Sequence, residues 1–427
     1  MSRAGADREA RADPIPGPHD VLVVGGGAAG LVAAREAAAA GARTLCLEKM
    51  PRPGLKVLVS GGGHCNVTTS LEPRLAEAEF GPEGARFLRR ALRAVPPAEV
   101  RRWLHEEGVP TVEEELDKVW PRSKRAGDVL DALLRRLDRA GARLACGHPV
   151  TGVRPGGDGW IVATPAGELG CRALVLAVGG CSYPGTGTTG DGYAWLRALD
   201  LPLVTPRPAL APLACPLPWV RELSGVTLPD VELQLRGPGG RILRRRRRPL
   251  LFTHGGLSGP GPMDLSRDLE REPGRYRAVH VDLAPDRDEA GLRAALFQGS
   301  GELVNRLQRE LDLPRRLCQV LVAEAGLGGV PPSEVDAGGR RRLLALCKGL
   351  PLPITGSLGF AKAEVTTGGL ALDAVDPRTM AVRGRPGLHV CGELLDADGP
   401  IGGFSFWLAF ATGVVAGRAA ARAALSP

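Results

Sequence analysis

A short apolar strand, a glycine-rich turn and an alanine-rich helix follow one another near the amino end of the chain, in DVLVVGGGAAGLVAAREAAAA (residues 20–40). Each glycine of Gly25-x-Gly27-x-x-Gly30 has a physical role. Gly25 permits the tight turn, Gly27 lets a pyrophosphate approach the backbone, and Gly30 lets helix and strand pack closely. The helix amino terminus adds unpaired N–H groups and a positive dipole that attract phosphates. The segment therefore predicts a β-α-β unit that binds a dinucleotide.

Glu48 lies where such a site needs an acid. It follows the next predicted strand, Thr44 to Leu47, and its carboxylate can accept both ribose hydroxyls of an adenosine. The chain also carries a second copy of the glycine spacing, Gly185-x-Gly187-x-x-Gly190. That copy does not directly follow a strand and has no acid near position 210, so we expect it to be a loop.

The carboxyl end of the chain, VCGELLDADGPIGGFSFWLAF (residues 390–410), favours FAD over NAD. Glu393 at the end of a predicted strand can bond the ribityl hydroxyls of a flavin. Gly402 and Gly403 would let the flavin lie against the start of the last helix, whose dipole stabilises negative charge on the reduced ring by ~0.3–2 kcal/mol. The alternative interpretation is an ordinary buried strand, loop and helix with glycine turns.

The composition and the strand and helix patterns along the sequence predict one α/β domain made from both chain ends and interrupted by an insertion. A proline-rich region of short β-like runs follows Trp195, then a helical region, and parallel-sheet features return after about 365. The predicted segments are a disordered tail (1–18), a FAD-binding domain (19–195 and 365–427), a β-rich insertion (196–285 and 349–364) and its helical part (286–348).

The cysteines and the apolar stretches of the sequence indicate the cellular compartment of the protein. The nine cysteines are scattered without a CxxC pair or a metal-type spacing, which indicates free thiols in a reducing cytoplasm and argues against both a bound metal and a flavin disulfide reductase. The amino-terminal residues lack the apolar core of a signal peptide. The most apolar late stretch, Phe404 to Gly417, is shorter than a membrane span and is followed by Arg418. We therefore expect a cytoplasmic protein with no membrane partner.

The formal net charge of +8 permits a polyanionic partner without requiring one. The positive charge is most concentrated in Arg244–Arg248, within a predicted hairpin around Gly237-Pro-Gly-Gly. This run is either the solvated flank of an exposed hairpin or a patch that contacts the phosphates of RNA.

A longer series of motifs resembles one known family. The motifs are VVGGGAAG (23–30), KVLVSGGGHCNVTT (56–69), VWPRSKRAGDVLDAL (119–133), AVGGCSYPGTGTTGDGY (177–193), LLFTHGGLSGPGP (250–262), VTTGGLALDAVDPRTM (365–380) and GGFSFWLAFATGVVAG (402–417). In order and number they are similar to those of the BaiN/RdsA-type NAD(P)/FAD-dependent oxidoreductases, also called aminoacetone-oxidase-like flavoproteins. His64 stands where that family usually has arginine, so a permanent cation becomes a titratable one.

The resemblance implies a fold and a chemistry. The expected fold is α/β, with a glutathione-reductase-type FAD-binding Rossmann-like domain interrupted by a β-barrel-like domain that has a small helical part. The family includes enzymes linked to the reduction of uridine in ribosomal RNA and others linked to the reduction of steroid enones. Both reactions add a hydride to a C=C bond conjugated to a carbonyl, so the expected partner is a small-molecule substrate or ribosomal RNA.

Three residues are candidates for catalysis. His254, in FTHGGLSG of the insertion, is the preferred general acid. His64 and Cys65 belong to the loop SGGGHCN; Cys65 is a candidate redox thiol, although a small buried packing residue is the favoured interpretation. Asp191 is expected to brace a loop near the isoalloxazine, and Lys56 to offset the charge of the pyrophosphate. The full predicted cofactor-binding set is Gly25, Gly27, Ala28, Ala29, Gly30, Glu48, Lys49, Lys56, Ser60, Gly61, Gly62, Asn66, Thr68, Val150, Ala177, Gly179, Gly180, Asp191, Gly392, Glu393, Gly402, Gly403 and Phe404.

The sequence thus predicts a FAD-dependent oxidoreductase that transfers hydride to an activated C=C bond, with NAD(P)H as a transient reductant. Two alternatives remain open at this level. One is a flavin oxidase of an amine-type substrate that uses dioxygen, and the other is an RNA-binding flavoprotein in which FAD is only structural.

Overall fold

The computed structural model describes residues 17–298 and 301–426. The predicted tail lies outside these residues as far as position 16, and so does the helix break expected at Gly299. The described chain forms two compact units. The first contains the residues up to Pro206 and from Gly368 onward, and the second is Arg207–Thr367.

The amino-terminal part of the first unit alternates strands and helices, as the sequence pattern predicts. Its strands are β1 (His19–Val24), β2 (Thr44–Glu48), β3 (Thr68–Thr69), β4 (Thr111–Glu114), β5 (Lys118–Pro121), β6 (Arg143–Cys146), β7 (Gly152–Gly156), β8 (Gly159–Thr164) and β9 (Gly167–Leu176). Its helices are α1 (Ala28–Ala39), α2 (Leu55–Val59), α3 (Pro73–Ala78), α4 (Gly81–Ala94), α5 (Pro97–Glu106), α6 (Ala126–Arg139) and α7 (Asp191–Ala198).

The second unit, together with the strand that leads into it, combines short strands with a run of helices. The strands are β10 (Leu203–Ala209), β11 (Leu213–Ala214), β12 (Thr227–Leu228), β13 (Glu232–Arg236), β14 (Ile242–Arg247), β15 (Leu250–Thr253), β16 (Gly256–Ser258), β17 (Ala278–Asp282), β18 (Leu350–Pro353) and β19 (Gly356–Ser357). The helices are α8 (Pro218–Glu222), α9 (Pro260–Arg271), α10 (Glu289–Phe297), α11 (Leu303–Leu311), α12 (Arg315–Glu324) and α13 (Ala337–Gly349).

The chain then returns to the first unit through β20 (Val365–Leu370), β21 (Leu388–Val390) and α14 (Phe404–Leu425). The predicted domain boundaries fall at 195/196 and 364/365, and the first of these lies inside α7. The units themselves divide at 206/207 and 367/368, within β10 and β20, which form a two-stranded sheet. The chain therefore leaves the first unit later than the change in composition after Trp195, because the end of α7 and the first part of β10 come before residue 207.

A parallel sheet with the strand order β6-β2-β1-β9-β21 organises the first unit. The amino-terminal half of β9 also pairs antiparallel with β8, and β8 with β7, which gives a small antiparallel meander. Every residue of β1 is buried. This burial on both faces explains why its last four residues, Val21–Val24, are all apolar. The carboxyl ends of β1, β2, β9 and β21 meet at one edge of the sheet, where α/β proteins bind ligands.

Helix α14 fills the space beside α1. A Cβ atom added to Gly417 would lie 2.2 Å from the carbonyl oxygen of Ala33, so the two helices approach too closely for any side chain there. Among the described helices, only α14 is long and apolar enough to cross a membrane, and 78% of its most apolar window is buried within the protein. The helix is longer than its most apolar stretch, because it continues past Arg418, whose guanidinium pairs with the buried Glu36 at 2.7 Å. Packing in the core accounts for its apolar composition.

Helical periodicity over residues 85–107 predicts a helical region there, and the structure divides this region in two. Pro96 and Pro97 divide it into α4 and α5, because a proline starts a helix readily and cannot continue one. In the second unit, β13 pairs with β14 as the predicted hairpin, with the register Leu233–Arg246 and Leu235–Arg244. Its β part consists of the antiparallel sheets β12-β15-β16-β11-β19 and β14-β13-β17-β18.

Candidate cofactor-binding site

The glycine turn after β1 has the geometry that the sequence predicts. A Cβ atom on Gly30 would lie 1.8 Å from the carbonyl oxygen of Gly25, so only glycine allows α1 to begin against this turn. A Cβ atom on Gly25 would lie 2.5 Å from the carbonyl oxygen of Ala177, at the end of β9. At Gly27, by contrast, no described heavy atom lies within 4 Å of such a Cβ. The open space in front of Gly27, at the first turn of α1, fits the approach of a pyrophosphate.

Glu48 is held by the backbone around it. Its Oε2 accepts a hydrogen bond from the Gly26 N–H at 2.7 Å, and its Oε1 accepts one from the Met50 N–H at 2.8 Å. These bonds fix the carboxylate at the end of β2, beside the glycine turn, and each oxygen keeps a further lone pair for a ribose hydroxyl. The N–H of His148 donates to the Glu48 carbonyl at 2.9 Å, which places the loop that leads to Val150 beside this strand end.

Lys49 and Asp191 lie together. The Lys49 ammonium is 2.6 Å from the Asp191 carboxylate and also donates to the Thr189 hydroxyl, which in turn donates to Asp191 at 2.9 Å. The contact ties the first residue of α7 to the residue after Glu48. Asp191 thus braces the end of β2, whereas its expected proximity to an isoalloxazine stays a prediction.

The residues after β9 form a loop with a buried centre. Ala177 donates its N–H to the carbonyl of Val24 at 2.9 Å, and Gly179 adopts a left-handed conformation (φ 74°) against Thr188. The second glycine spacing lies farther along this loop, where Gly185 belongs to a short 3-10 turn and Gly190 precedes α7. The expectation that it is a loop is confirmed.

The SGGG segment follows α2 as a tight left-handed turn. Gly61 and Gly62 have φ values of 54° and 68°, a region that other residues rarely adopt. Helix α2 is anchored to the dinucleotide turn, because the N–H of Gly54 donates to the carbonyl of Gly26 at 3.0 Å. The hydroxyl of Ser60 donates to the carbonyl of Val57 in α2 at 2.7 Å, so the hydroxyl proton already has an acceptor.

Strand β3 and the start of α14 meet at the other side of this segment. A Cβ atom on Gly403 would lie 2.3 Å from the carbonyl oxygen of Thr68, so the glycine pair allows this contact. The Oδ1 of Asn66 accepts from the N–H of Val119 at 3.1 Å, which leaves the amide nitrogen as its remaining donor. Within residues 17–298 and 301–426, the buried hydroxyl of Thr68 finds no hydrogen-bond partner. Phe404 is buried and packs edge-on against Phe80.

Glu393 forms a closed cluster that the sequence does not reveal. The Lys56 ammonium donates to Glu393 Oε2 at 2.7 Å and to Ser182 Oγ at 2.8 Å, and Ser182 Oγ donates to Glu393 Oε1 at 2.9 Å. Gly392, immediately before, donates its N–H to the hydroxyl of Thr412 at 3.0 Å. Lys56, expected at the pyrophosphate, is thus paired with the carboxylate expected at the ribityl chain. The sequence did not identify Ser182 as a site residue. The one available signal was its position two residues after Gly180, where a predicted strand ends.

The three candidates for catalysis lie in different surroundings. His64 is exposed, and its ring meets that of Trp120 edge-on at 6.1 Å between centroids. Cys65 is completely buried, and burial raises the pKa of its thiol to about 12, which suppresses the reactive thiolate. His254 belongs to the second unit, where it is exposed in the turn between β15 and β16.

The arginine run lies on β14, the edge strand of its sheet, and is largely paired with acids. Arg247 makes bonds of 2.6–2.7 Å to both Asp230 and Asp286, and Arg244 pairs with Asp268 at 2.7 Å. Arg245 lies 3.7 Å from Glu232, and Arg248 lies 3.4 Å from the buried Asp264. These pairs favour the interpretation as a hairpin flank, because paired guanidiniums have little charge left for phosphates.

The sequence profile of the HI0933-like protein Rossmann domain family matches residues 19–419. The chain belongs to this family. The chain has two relatives of nearly equal length. It is 28% identical to the ribosomal RNA dihydrouridine synthase of Escherichia coli (strain K12), over 92% of this chain and 96% of the relative. It is 29% identical to the 3-dehydro-bile acid delta(4,6)-reductase of Clostridium scindens, over 93% of this chain and 98% of the relative. Among solved structures, the 3-ketosteroid-delta4-(5alpha)-dehydrogenase of Rhodococcus jostii RHA1 is similar in fold, with a TM-score of 0.51, 17% identity and coverage of 95% and 97%.

Membership of the HI0933-like family confirms the expected resemblance and the α/β fold class with its Rossmann-like FAD-binding domain. This HI0933-like protein is therefore an oxidoreductase of a FAD-dependent family. Among the described residues, no group of three or more His, Cys, Asp or Glu side chains is placed to hold a metal ion.

Proposed function

We propose that this protein reduces a C=C bond conjugated to a carbonyl group, with FAD as the bound cofactor and NAD(P)H as the transient source of hydride. The observation that carries the proposal is the agreement between two full-length relatives. One is named for forming dihydrouridine and the other for reducing a bile acid at a delta(4,6) position. In both products hydrogen has been added to a C=C bond that is conjugated to a carbonyl, so the common chemistry is broader than either substrate.

The residues at the edge of the parallel sheet fit FAD. Glu48 would accept the hydroxyls of the adenosine ribose, and the open space at Gly27 would take the pyrophosphate. Glu393 would accept hydroxyls of the ribityl chain, and Gly402–Gly403 would let a planar ring approach the start of α14. When bound, FAD supplies the chemistry that passes a hydride from NAD(P)H to the substrate carbon. Val150, Asn66 and Thr68 remain proposed contacts of the same cofactor.

The product also needs a proton on the neighbouring carbon. We propose His254 as the donor, since histidine is the side chain most often used for general acid catalysis and this one is exposed at a tight turn. His64 is the second candidate. Cys65 is the weakest of the three, because its buried thiol has a raised pKa and no exposed surface from which to reach a substrate.

The transient role of NAD(P)H rests on the number of dinucleotide turns. In the described part of the chain, one strand–GxGxxG–helix unit is present, and FAD would occupy it. A nicotinamide would therefore bind only while it delivers hydride. We also propose a cytoplasmic location, because all nine cysteines are free, as expected of a reducing compartment.

Anaerobic flavin spectroscopy tests the proposal. The protein, loaded with FAD, is mixed with NADH or NADPH and then with a conjugated enone or with ribosomal RNA. We expect the flavin absorbance to bleach with one nicotinamide and to recover when a suitable acceptor is added, with a saturated product. Absence of bleaching with either nicotinamide would favour a structural role for FAD. Rapid reoxidation by air with release of peroxide would favour the amine-type oxidase.

Variants at the two histidines separate the proton donor from cofactor binding. His254→Gln should slow the recovery step and leave FAD affinity unchanged, and His64→Gln tests the second candidate in the same assay. A recovery step slowed only by His64→Gln would reassign the role. A comparison of dihydrouridine in ribosomal RNA from cells with and without the gene distinguishes RNA from small-molecule substrates.

A further inference from the structure

Lys56, Ser182 and Glu393 come from three distant parts of the chain and form a closed triangle of hydrogen bonds. Lys56 lies on α2, Ser182 in the loop after β9, and Glu393 directly after β21. The three distances are 2.7, 2.8 and 2.9 Å. Ser182 is fully buried, while the side chains of Lys56 and Glu393 are 28% and 18% exposed.

The triangle compensates the charge of the Glu393 carboxylate and fixes its direction. Lys56 and Ser182 donate to different carboxylate oxygens, so the group cannot rotate without breaking a short bond. The adjacent ammonium compensates the negative charge, which would otherwise be costly at a mostly buried position. A carboxylate offers about four acceptor positions in all, and hydrogen bonds to a carboxylate are stronger than those between neutral groups.

The position of Lys56 is fixed as well. The N–H of Gly54 bonds the carbonyl of Gly26, so α2 is attached to the dinucleotide turn. From that anchored helix, Lys56 extends to Glu393 at the end of β21. Its charge is therefore matched by a carboxylate of the protein, as the charge of Lys49 is matched by Asp191.

We propose that Lys56 and Ser182 are positioning residues for FAD that act through Glu393. They compensate the charge of this carboxylate and hold it oriented as the acceptor of ribityl hydroxyls, and Lys56 does not act by neutralising the pyrophosphate. The inference rests on the proposed function, because it assigns a role toward the same cofactor.

A double-mutant cycle tests the inference without any activity measurement. Apoproteins carrying Lys56→Met, Glu393→Gln or both are titrated with FAD, and binding is followed by quenching of flavin fluorescence. Lys56→Met should weaken FAD binding about tenfold in the wild-type background, which is the effect of one charge-assisted interaction. In the Glu393→Gln background the same change should have an effect within about twofold, the usual error of additivity.

A direct contact between Lys56 and the pyrophosphate gives the opposite result. The loss on Lys56→Met would then be about tenfold in both backgrounds, since the pyrophosphate does not depend on Glu393, and that additivity would overturn the inference. Ser182→Ala should weaken binding about threefold, again only when Glu393 is present. If Lys56→Met does not fold, Ser182→Ala is used for the same test. Lys56→Arg should restore most of the affinity, because it restores the cation.

Lys348→Met is the matched control. Lys348 pairs with Asp282 at 2.6 Å in the second unit, and its side chain is 26% exposed, close to the value for Lys56. It should leave FAD affinity within about twofold of wild type, and a tenfold loss there would mean that the Lys56 effect is general destabilisation. A wild-type protein that fails to bind FAD would refute the proposed function. Normal binding by the wild type and equally tight binding by Lys56→Met would refute the positioning role alone.

Discussion

The replacement Glu48→Gln removes one acceptor from the most constrained carboxylate of the site. In the wild type, the two oxygens accept from the N–H groups of Gly26 and Met50 at 2.7 and 2.8 Å. A glutamine side chain has a single acceptor oxygen, and its amide nitrogen would face the other N–H donor-to-donor. One backbone N–H of the turn therefore loses its partner, while the volume of the side chain hardly changes.

The cost follows from this lost bond. An unsatisfied buried donor costs about 1–3 kcal/mol. Gly26 is buried, but Glu48 and Met50 are half-buried, so we expect the lower part of that range, about 1–2 kcal/mol of unfolding free energy in the apoprotein. FAD should bind about tenfold more weakly in addition, because the ribose hydroxyls lose a charged acceptor. Both effects come from one change, and the first does not require the cofactor.

Urea unfolding of the apoprotein, followed by tryptophan fluorescence, measures the first effect. Five of the six tryptophans belong to the first unit, so this signal reports mainly on the unit that contains Glu48. Glu168→Gln is the control, since Glu168 pairs with Arg154 at 2.9 Å with both side chains more than half exposed, and should change stability by less than about 0.5 kcal/mol. If Glu48→Gln is as stable as this control, Glu48 does not organise the glycine turn and the reasoning fails.

Three further outcomes are expected. Cys65→Ala should leave the reduction of bound flavin by NAD(P)H unchanged, because burial raises the pKa of this thiol to about 12; loss of reduction would restore Cys65 as a redox thiol. Arg247→Gln should leave the salt dependence of any RNA binding unchanged, because Asp230 and Asp286 already compensate this guanidinium; a shallower salt slope would show that it contacts phosphate. Hydrogen bonds from Arg43 lower the pKa of Asp20 to about 2. Asp20→Asn should therefore reduce the unfolding free energy above pH about 4, and this difference from wild type should disappear as the pH falls through about 2. A difference in unfolding free energy that persists in acid would contradict this linkage.

The parts of the site that repeat a local pattern were accessible from the sequence. The turn from Gly25 to Gly30 places strand, loop and helix within a dozen residues, and its spacing reflects steric needs that are the same in any such unit. The hairpin of β13 and β14 and the helix α6 follow from turn residues and from apolar periodicity in the same way. The division at Pro96 was signalled by the sequence, but apolar periodicity alone continued through it.

The partners of charged side chains were not accessible. The positive charge of Lys56 predicts a place at the pyrophosphate, whereas its ammonium bonds Glu393, which is 337 residues away in the chain. The arginine run illustrates the same point, because acids from four other elements and loops come to β14 only after the second unit has folded.

The amino-acid sequence by itself determined the dinucleotide turn, the order of strands and helices, and the family, because these depend on residue types at short, fixed spacings. Only the tertiary structure decided which carboxylate each cation meets, that Ser182 lies beside Glu393, and that the thiol of Cys65 is sealed from solvent. The physical reason is that charge compensation and burial depend on distances through space, and these are set when β1, β2, β9 and β21 align their ends at one edge of the sheet.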